Sequence, residues 1–215
     1  MAWATLLMAA PAITEAGIKV ARAVKRHRKE KEQAETSRPR VSAASGAPRP
    51  RRVSSSLPTF TEHQRQSLTI IANEVKAYQG FSPELGLSRD ALTLGLWVNA
   101  WHESRLKPAA FNGKGEQSVG LFQINRNAHP GHTREQLSQA DYNTRYMLEL
   151  IQRDHRRFDK ILRQGANIAT LCAAITLWVE RPKNPEEKAV QRAGTLRSWF
   201  PSLANERAIG WQSGG

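Results

Sequence analysis

Trp97-Val98-Asn99-Ala100-Trp101-His102-Glu103-Ser104-Arg105-Leu106, a loop from Lys107 to Gln117, and Ser118-Val119-Gly120-Leu121-Phe122-Gln123-Ile124-Asn125 form the stretch that organises this chain. The first part is an apolar helical run that delivers one acid, Glu103, at its C-terminal end. Residues 107–125 carry too many Gly and Asn for a helix, and Val119 to Ile124 reads as a short strand. Apolar and aromatic neighbours favour the protonated form of a carboxyl group, which is the form a general acid needs. The plain alternative is a helix-end Glu that faces solvent or pairs with Arg105.

Working outward, Thr61 reads as the N-cap of a helix to about Gln79, with Leu68, Ile71, Ala72, Val75 and Tyr78 on one face and Gly80 as its stop. Ser88 caps a helix from about Arg89 to Ser104. Its apolar residues almost encircle it, so it belongs in the middle of a domain. Thr133 opens a further helix. A longer one is expected from Asp141, its cap, to about Gln164, where Gly165 breaks it. Ala166 to Val179 is a second strongly apolar helix. Pro182 and Pro185 interrupt, and Pro185 suits the first turn of a last helix to about Phe200. The pattern predicts an α+β domain, mostly α, over residues 58–215.

The chain has 215 residues, a formal net charge of +13 and a pI of about 10.6. Twelve Lys/Arg against four Asp/Glu up to Leu57 place +8 of that charge in the first 57 residues. Residues 1–34 read as an apolar segment with amphipathic spacing (Ile13, Ala16, Val20, Val24) followed by Lys25-Arg26-His27-Arg28-Lys29; a signal peptide or a single anchor are the competing readings. Residues 35–57 are rich in Ser, Pro and Arg and form a flexible linker. A basic balance favours polyanionic partners, whether nucleic acid, anionic lipid or a phosphate-bearing cell envelope, without choosing among them; specific nucleic-acid binding by the basic tail is not expected, since a charge run is usually just solvated. The single cysteine, Cys172, excludes an internal disulfide and sits in an apolar run, as an inert buried thiol does. No Cys/His cluster has metal-ligand spacing, so neither a metal nor another cofactor is expected.

Glu-Ser at 103–104, followed after a short gap by Ser118-Val119-Gly120-Leu121-Phe122-Gln123-Ile124-Asn125, resembles the signature of the lytic transglycosylase and goose-type lysozyme superfamily. The resemblance implies a lysozyme-like fold with the cleft beside the Glu103 helix, and peptidoglycan glycan strands as substrate. It makes Glu103 the acid, Ser104 its hydrogen-bonding support and Gln123 a cleft residue. Phe122 flanks the sugars or packs the core. Asp141-Tyr142-Asn143 with Tyr146 resembles the helix start that follows the Gln motif, which offers Asn143 and Tyr146 as substrate contacts. The sequence departs from the family where an Ala-Tyr-Asn-Ala-Gly-like motif is usual. It reads Leu177-Trp178-Val179-Glu180-Arg181-Pro182 there, more similar to phage tail-associated lysozymes. Glu180 is open to two readings, facing the cleft or bonded to Arg181 or Arg192.

The resemblance leaves two outcomes at the MurNAc-GlcNAc β-1,4 bond. One acid alone allows the C6 hydroxyl to close on C1, giving a 1,6-anhydro end. A second carboxylate that activates water gives a reducing end, and Glu116, Asp141 and Glu180 are the candidates. The transglycosylase outcome is expected from the motif pair. The expected setting is a phage virion protein that acts in the host periplasm during entry, its N-terminal segment touching membrane or virion neighbours. A secreted or anchored bacterial enzyme and an inactive glycan-binding virion protein are the alternatives.

Overall fold

The computed structural model describes residues 57–81, 86–113, 115–180 and 182–208. The readings of residues 1–34 and of the linker up to Ser56 lie outside the described residues. Helix α1 spans Glu62–Ala77, and its N-terminus follows from a reciprocal cap. Thr61 Oγ1 accepts from the Gln64 N–H, and the Gln64 side chain accepts from the Thr61 N–H. Its end differs from expectation: Gly80 does not cap it. The chain turns extended at Tyr78, and the Arg89 guanidinium donates to the carbonyls of Val75 and Tyr78. A tertiary donor thus satisfies the last carbonyls that a glycine cap would have served.

Helix α2 spans Arg89–Ser104, capped by Ser88 Oγ on the Ala91 N–H at 3.1 Å. It is the axis of the domain, as its all-round apolar pattern requires. Leu92, Leu96, Val98 and Ala100 are wholly buried. Helix α1 packs on one side and α6 (Ile168–Ile175) on the other. Gly95 faces α6, where an added Cβ would lie 3.3 Å from Ile175 Cδ1 and 3.6 Å from Cys172 Cα.

The expected single strand is a three-stranded antiparallel sheet of dipeptides: β1 Phe111–Asn112, β2 Ser118–Val119 and β3 Ile124–Asn125. Phe111 pairs with Val119, and Val119 with Ile124. The Gly-Leu-Phe-Gln run is therefore the β2–β3 turn rather than a strand. Gly120 has φ +88°, and a Cβ there would lie 2.2 Å from both Asn143 Nδ2 and Leu137 O.

Thr133 opens α3 (Arg134–Leu137) with a second reciprocal cap, to Gln136. The long helix expected from Asp141 is two helices, α4 (Ala140–Arg153) and α5 (His155–Arg163), broken at Asp154. The break turns Phe158, 1% exposed, into the core, edge-on to Trp178 at 5.2 Å. Asp141 lies inside the first turn and pairs with Arg145 at 2.7 Å; Gln139 holds the cap position.

The second apolar helix also changes character. α6 ends at Ile175 and continues as a π-helical turn, Thr176–Glu180. At this change the Thr176 hydroxyl lies 2.8 Å from Asn99 Oδ1 and 3.2 Å from Cys172 O, with one proton to share between them. α7 runs Pro185–Trp199, with proline in its first turn as expected. The C-terminal turns clamp the two apolar helices. Ala208 O accepts from Ser88 N, while Ala204 O and Glu206 O accept from Ala169 N and Ile168 N, all at 2.9–3.1 Å. No described helix is long and apolar enough to cross a membrane. The outcome is the mostly helical α+β domain that the sequence predicts.

Gly120 carries both a left-handed φ and a backbone collision, so Gly120→Ala should destabilise the domain by ~2–4 kcal/mol. Urea unfolding measures this; a loss below about 0.5 kcal/mol would show that the turn repacks around the methyl group.

Candidate active site

A cleft of about 730 Å³ opens along the C-terminal end of α2, between the sheet and the π turn. Its wall includes Glu103 and His102 from α2, Gln123 and Phe122 from the β2–β3 turn, and Glu180 from the π turn. Glu103 is positioned by the last turn of α2. Immediately beyond it, Arg105 (φ 55°) and Leu106 (φ 62°) take left-handed conformations. Two such non-glycine residues cost roughly 1–3 kcal/mol each, so the surroundings must hold them. Leu106 is buried and its carbonyl accepts from Ser67 Oγ at 3.0 Å. Arg105 O accepts from Gln64 Nε2 at 3.1 Å, and the guanidinium lies 4.9 Å over Trp101. This reversal ends the helix at Ser104, one residue past Glu103, and sends the chain back across the cleft as the sheet.

The surroundings of Glu103 differ from the apolar setting expected for it. Arg192 of α7, 1% exposed, donates through Nη2 to Glu103 Oε1 and forms an ion pair through Nη1 with Glu180 Oε2. One buried guanidinium therefore joins both carboxylates. Nη1 also donates to Asn99 Oδ1 at 2.6 Å. The Thr176 hydroxyl donates to the same oxygen at 2.8 Å, and Asn99 Nδ2 donates to Gly95 O at 2.7 Å. Asn99, one turn before Glu103, thus fixes the guanidinium from below. The side chain of Glu103 is 21% exposed and that of Glu180 4%. Apart from this contact with Arg192, neither oxygen of Glu180 has a hydrogen-bond partner among the described residues, and Arg192 Nε has none there.

Of the other expected site residues, Gln123 reaches the cleft wall, φ 48°, with Nε2 donating to Ala110 O at 3.1 Å and Gly120 O at 3.0 Å. Phe122 is 2% exposed and packs the core at the cleft floor. Ser104 does not bond the acid. Its hydroxyl is placed between Ala100 O (3.1 Å) and Leu121 O (2.8 Å), so it ties α2 to the turn that carries Gln123. Asn143 is wholly buried. Its Oδ1 accepts from Phe122 N, and its Nδ2 serves Val119 O and Leu137 O, so its amide is engaged by backbone rather than offered to a ligand. Tyr146, 4% exposed, acts on the cleft through His129, whose Nδ1 meets the Tyr146 hydroxyl at 2.8 Å. Among the second-carboxylate candidates, Glu116 lines the cleft on the exposed β1–β2 loop, and Asp141 is held by Arg145 away from it. Glu180 alone of the three shares a partner with Glu103.

Three contributors were missed by sequence reasoning in their site roles: Asn99, Thr176 and His102. Arg192 entered only as one possible partner of Glu180. Their signals were visible as polar residues on apolar stripes. Asn99 lies at i−4 from Glu103, and Arg192 shares a face with Ala189, Ala193 and Leu196. His102 Nε2 lies 2.9 Å from Thr195 Oγ1. Burial, then the Arg192, Arg105 and Lys188 charges, push His102 down to about 4, so its ring is neutral at physiological pH. Burial pushes the Cys172 thiol up to about 12, in keeping with an inert thiol. Among the described residues no group of three His, Cys, Asp or Glu is arranged to hold a metal ion.

A family model described as a lysozyme-like domain matches residues 81–156. The match spans α2 with Glu103, the sheet, α3 and α4, and stops before the π turn and α7. No curated protein and no solved structure matches the chain. The match supports the lytic transglycosylase and lysozyme-like superfamily, and the domain has a lysozyme-like, mostly helical α+β fold.

The depressed His102 value sets a pH dependence of stability. Between about 6.5 and about 4 the unfolded chain binds a proton that the folded chain refuses, so stability is full above pH 6.5 and falls as the pH drops to about 4. Because the ring is partly solvent-screened, the loss should be on the order of 1–2 kcal/mol. His102→Gln should flatten that part of the stability curve in urea titrations; an unchanged slope would remove His102 as its source.

Proposed function

We propose that this domain is a lytic transglycosylase that cleaves the MurNAc-GlcNAc β-1,4 bond of peptidoglycan, with Glu103 as both acid and base. The carrying observation is that Glu103 is the partly exposed member of the carboxylate pair, at the end of a rigid helix on the cleft wall, whereas Glu180 is sealed against Arg192. In the proposed step Glu103 gives its proton to the glycosidic oxygen as the C1–O bond breaks. The C6 hydroxyl then attacks C1 and returns a proton to the Glu103 carboxylate, leaving a 1,6-anhydro end. Gln123 and the polar cleft residues Asn112, Ser118 and Asn125 are suited to hold sugar hydroxyl and N-acetyl groups. Ser104 and Asn143 support the turn that presents Gln123.

One observation favours a second reading, hydrolysis: Glu180 shares a guanidinium with Glu103 and so lies near enough for a two-carboxylate reaction. The basic extension and the Glu-Arg-Pro sequence support a phage virion setting with action in the host cell wall. Presence in purified particles tests that, and recovery only from secreted or membrane fractions of a bacterium would contradict it.

Purified sacculi digested by the wild type should lose turbidity and release muropeptides with anhydro ends in mass spectra. Glu103→Gln should lower the rate by about 10²–10⁴. Reducing ends alone would replace the lyase by a hydrolase. Equal, negligible activity of folded wild type and variant would replace the enzyme by a structural or glycan-binding part.

A further inference from the structure

Arg192 is buried, permanently charged and held in place, and Glu103 must alternate between acid and carboxylate if it catalyses. These two facts conflict unless a second anion is present. With Glu103 ionised, the guanidinium has a counter-ion. When Glu103 holds its proton, that counter-ion is gone, and a buried unpaired charge is strongly unfavourable. Arg192 cannot relieve this by losing a proton, since a guanidinium does not deprotonate in proteins. Nor can it swing away, because Asn99 Oδ1 holds Nη1 at 2.6 Å and the residue is 1% exposed.

We infer that Glu180 is a positioning residue that acts as the standing counter-ion of Arg192, so that Glu103 can hold a proton in the cleft while the buried guanidinium stays compensated. The inference rests on the proposed role of Glu103 and assigns Glu180 no contact with reacting atoms. The site then alternates between charge 0 (Glu103 protonated, Arg192 positive, Glu180 negative) and −1 after proton donation. Without Glu180 it would alternate between +1 and 0, which locks Glu103 as the carboxylate.

The surroundings fit this division. The Glu180 side chain is 4% exposed, lies on the π-helical turn, and has no hydrogen-bond donor other than the Arg192 guanidinium on either oxygen among the described residues. A π turn inserted into an α-helix re-aims the side chains beyond it, and this one delivers Glu180 to Arg192. The other charged or titratable groups facing the pair or lining its cleft are His102 on α2, Arg105 just beyond it, Lys183 and Lys188 at α7, Glu116 on the β1–β2 loop, His129, Arg153 and Asp154 across the cleft, where Asp154 lies 3.8 Å from Arg157, and the Cys172 thiol of α6 behind Asn99. His102 is neutral above about pH 4, and Glu116 is exposed, so neither replaces Glu180 as a buried anion.

The test compares the full-length wild type, Glu180→Gln, Glu180→Asp and the double variant Glu180→Gln/Arg192→Met. The readouts are pH–rate profiles on sacculi and carbon-13 NMR of the Glu103 carboxyl. In Glu180→Gln the alkaline limb of the rate profile should move at least one pH unit toward acid, about a tenfold loss at neutral pH, and Glu103 should lose its proton at correspondingly lower pH. KM should change little. Glu180→Asp should restore most of the profile. The double variant should not show the acid shift, because the cation is gone; it also serves where the single variant folds poorly. An unshifted profile and titration in folded Glu180→Gln would overturn the inference. So would complete inactivity of that variant at every pH with wild-type reducing ends, which would make Glu180 the activator of water. Wild-type protein that titrates as expected but leaves sacculi intact would refute the proposed activity while sustaining the counter-ion role.

Discussion

A buried guanidinium without counter-ions would not survive in this core, and the site is arranged around that constraint. Arg192 enters from α7 and meets Glu103 from α2, Glu180 from the π turn, and Asn99 from one turn deeper in α2. Three separate elements are thereby held in one orientation at the cleft. By contrast, the exposed pairs Arg65–Glu62, Arg145–Asp141 and Arg163–Asp159 are each worth only a few tenths of a kcal/mol. Removing one partner of a buried pair costs about 3–5 kcal/mol, so the Arg192 network outweighs all three together. Its geometry also makes function and folding depend on the same contacts.

The rest of the fold supplies rigid walls for that network. α2 is buried on nearly all sides, so its C-terminal turn has little freedom, and the strained Arg105–Leu106 reversal is held by α1 through Gln64 and Ser67. The small sheet is anchored from behind. Asn143 bonds Phe122 N and Val119 O, and the Ser104 hydroxyl meets Leu121 O. Two side chains that the motif resemblance assigns elsewhere, Ser104 to support of the acid and Asn143 to substrate, are bonded to the backbone that presents Gln123. This is a general feature of sites built on tight turns: several polar residues are needed to hold the turn, and fewer are left for the ligand.

Much of this was legible in the sequence. The Thr61, Ser88 and Thr133 caps, the encircled apolarity of α2, the proline start of α7 and the position of Glu103 at the end of α2 follow from local rules. The failures share a physical cause. Gly80 was overruled by Arg89, the unbroken helix through Asp154 by burial of Phe158 against Trp178, and the α-helical end of α6 gave way to a π turn where Thr176 meets Asn99. Each depends on a partner outside the local window. The Arg192 network is the extreme case, since it links residues more than seventy positions apart, from Asn99 to Thr176 and from Glu103 to Arg192. A polar residue on an apolar stripe marks such a network, but spacing alone does not name its partners.

The most direct measurement is a double-mutant cycle in urea unfolding at neutral pH, with Glu180→Gln, Arg192→Met and the two combined. If Arg192 is the buried hub, each single change destabilises by about 3 kcal/mol or more, and the combined change by less than their sum, leaving a coupling of at least ~2 kcal/mol. Additive losses within about 0.5 kcal/mol would show that the two side chains do not depend on each other, and would contradict the account.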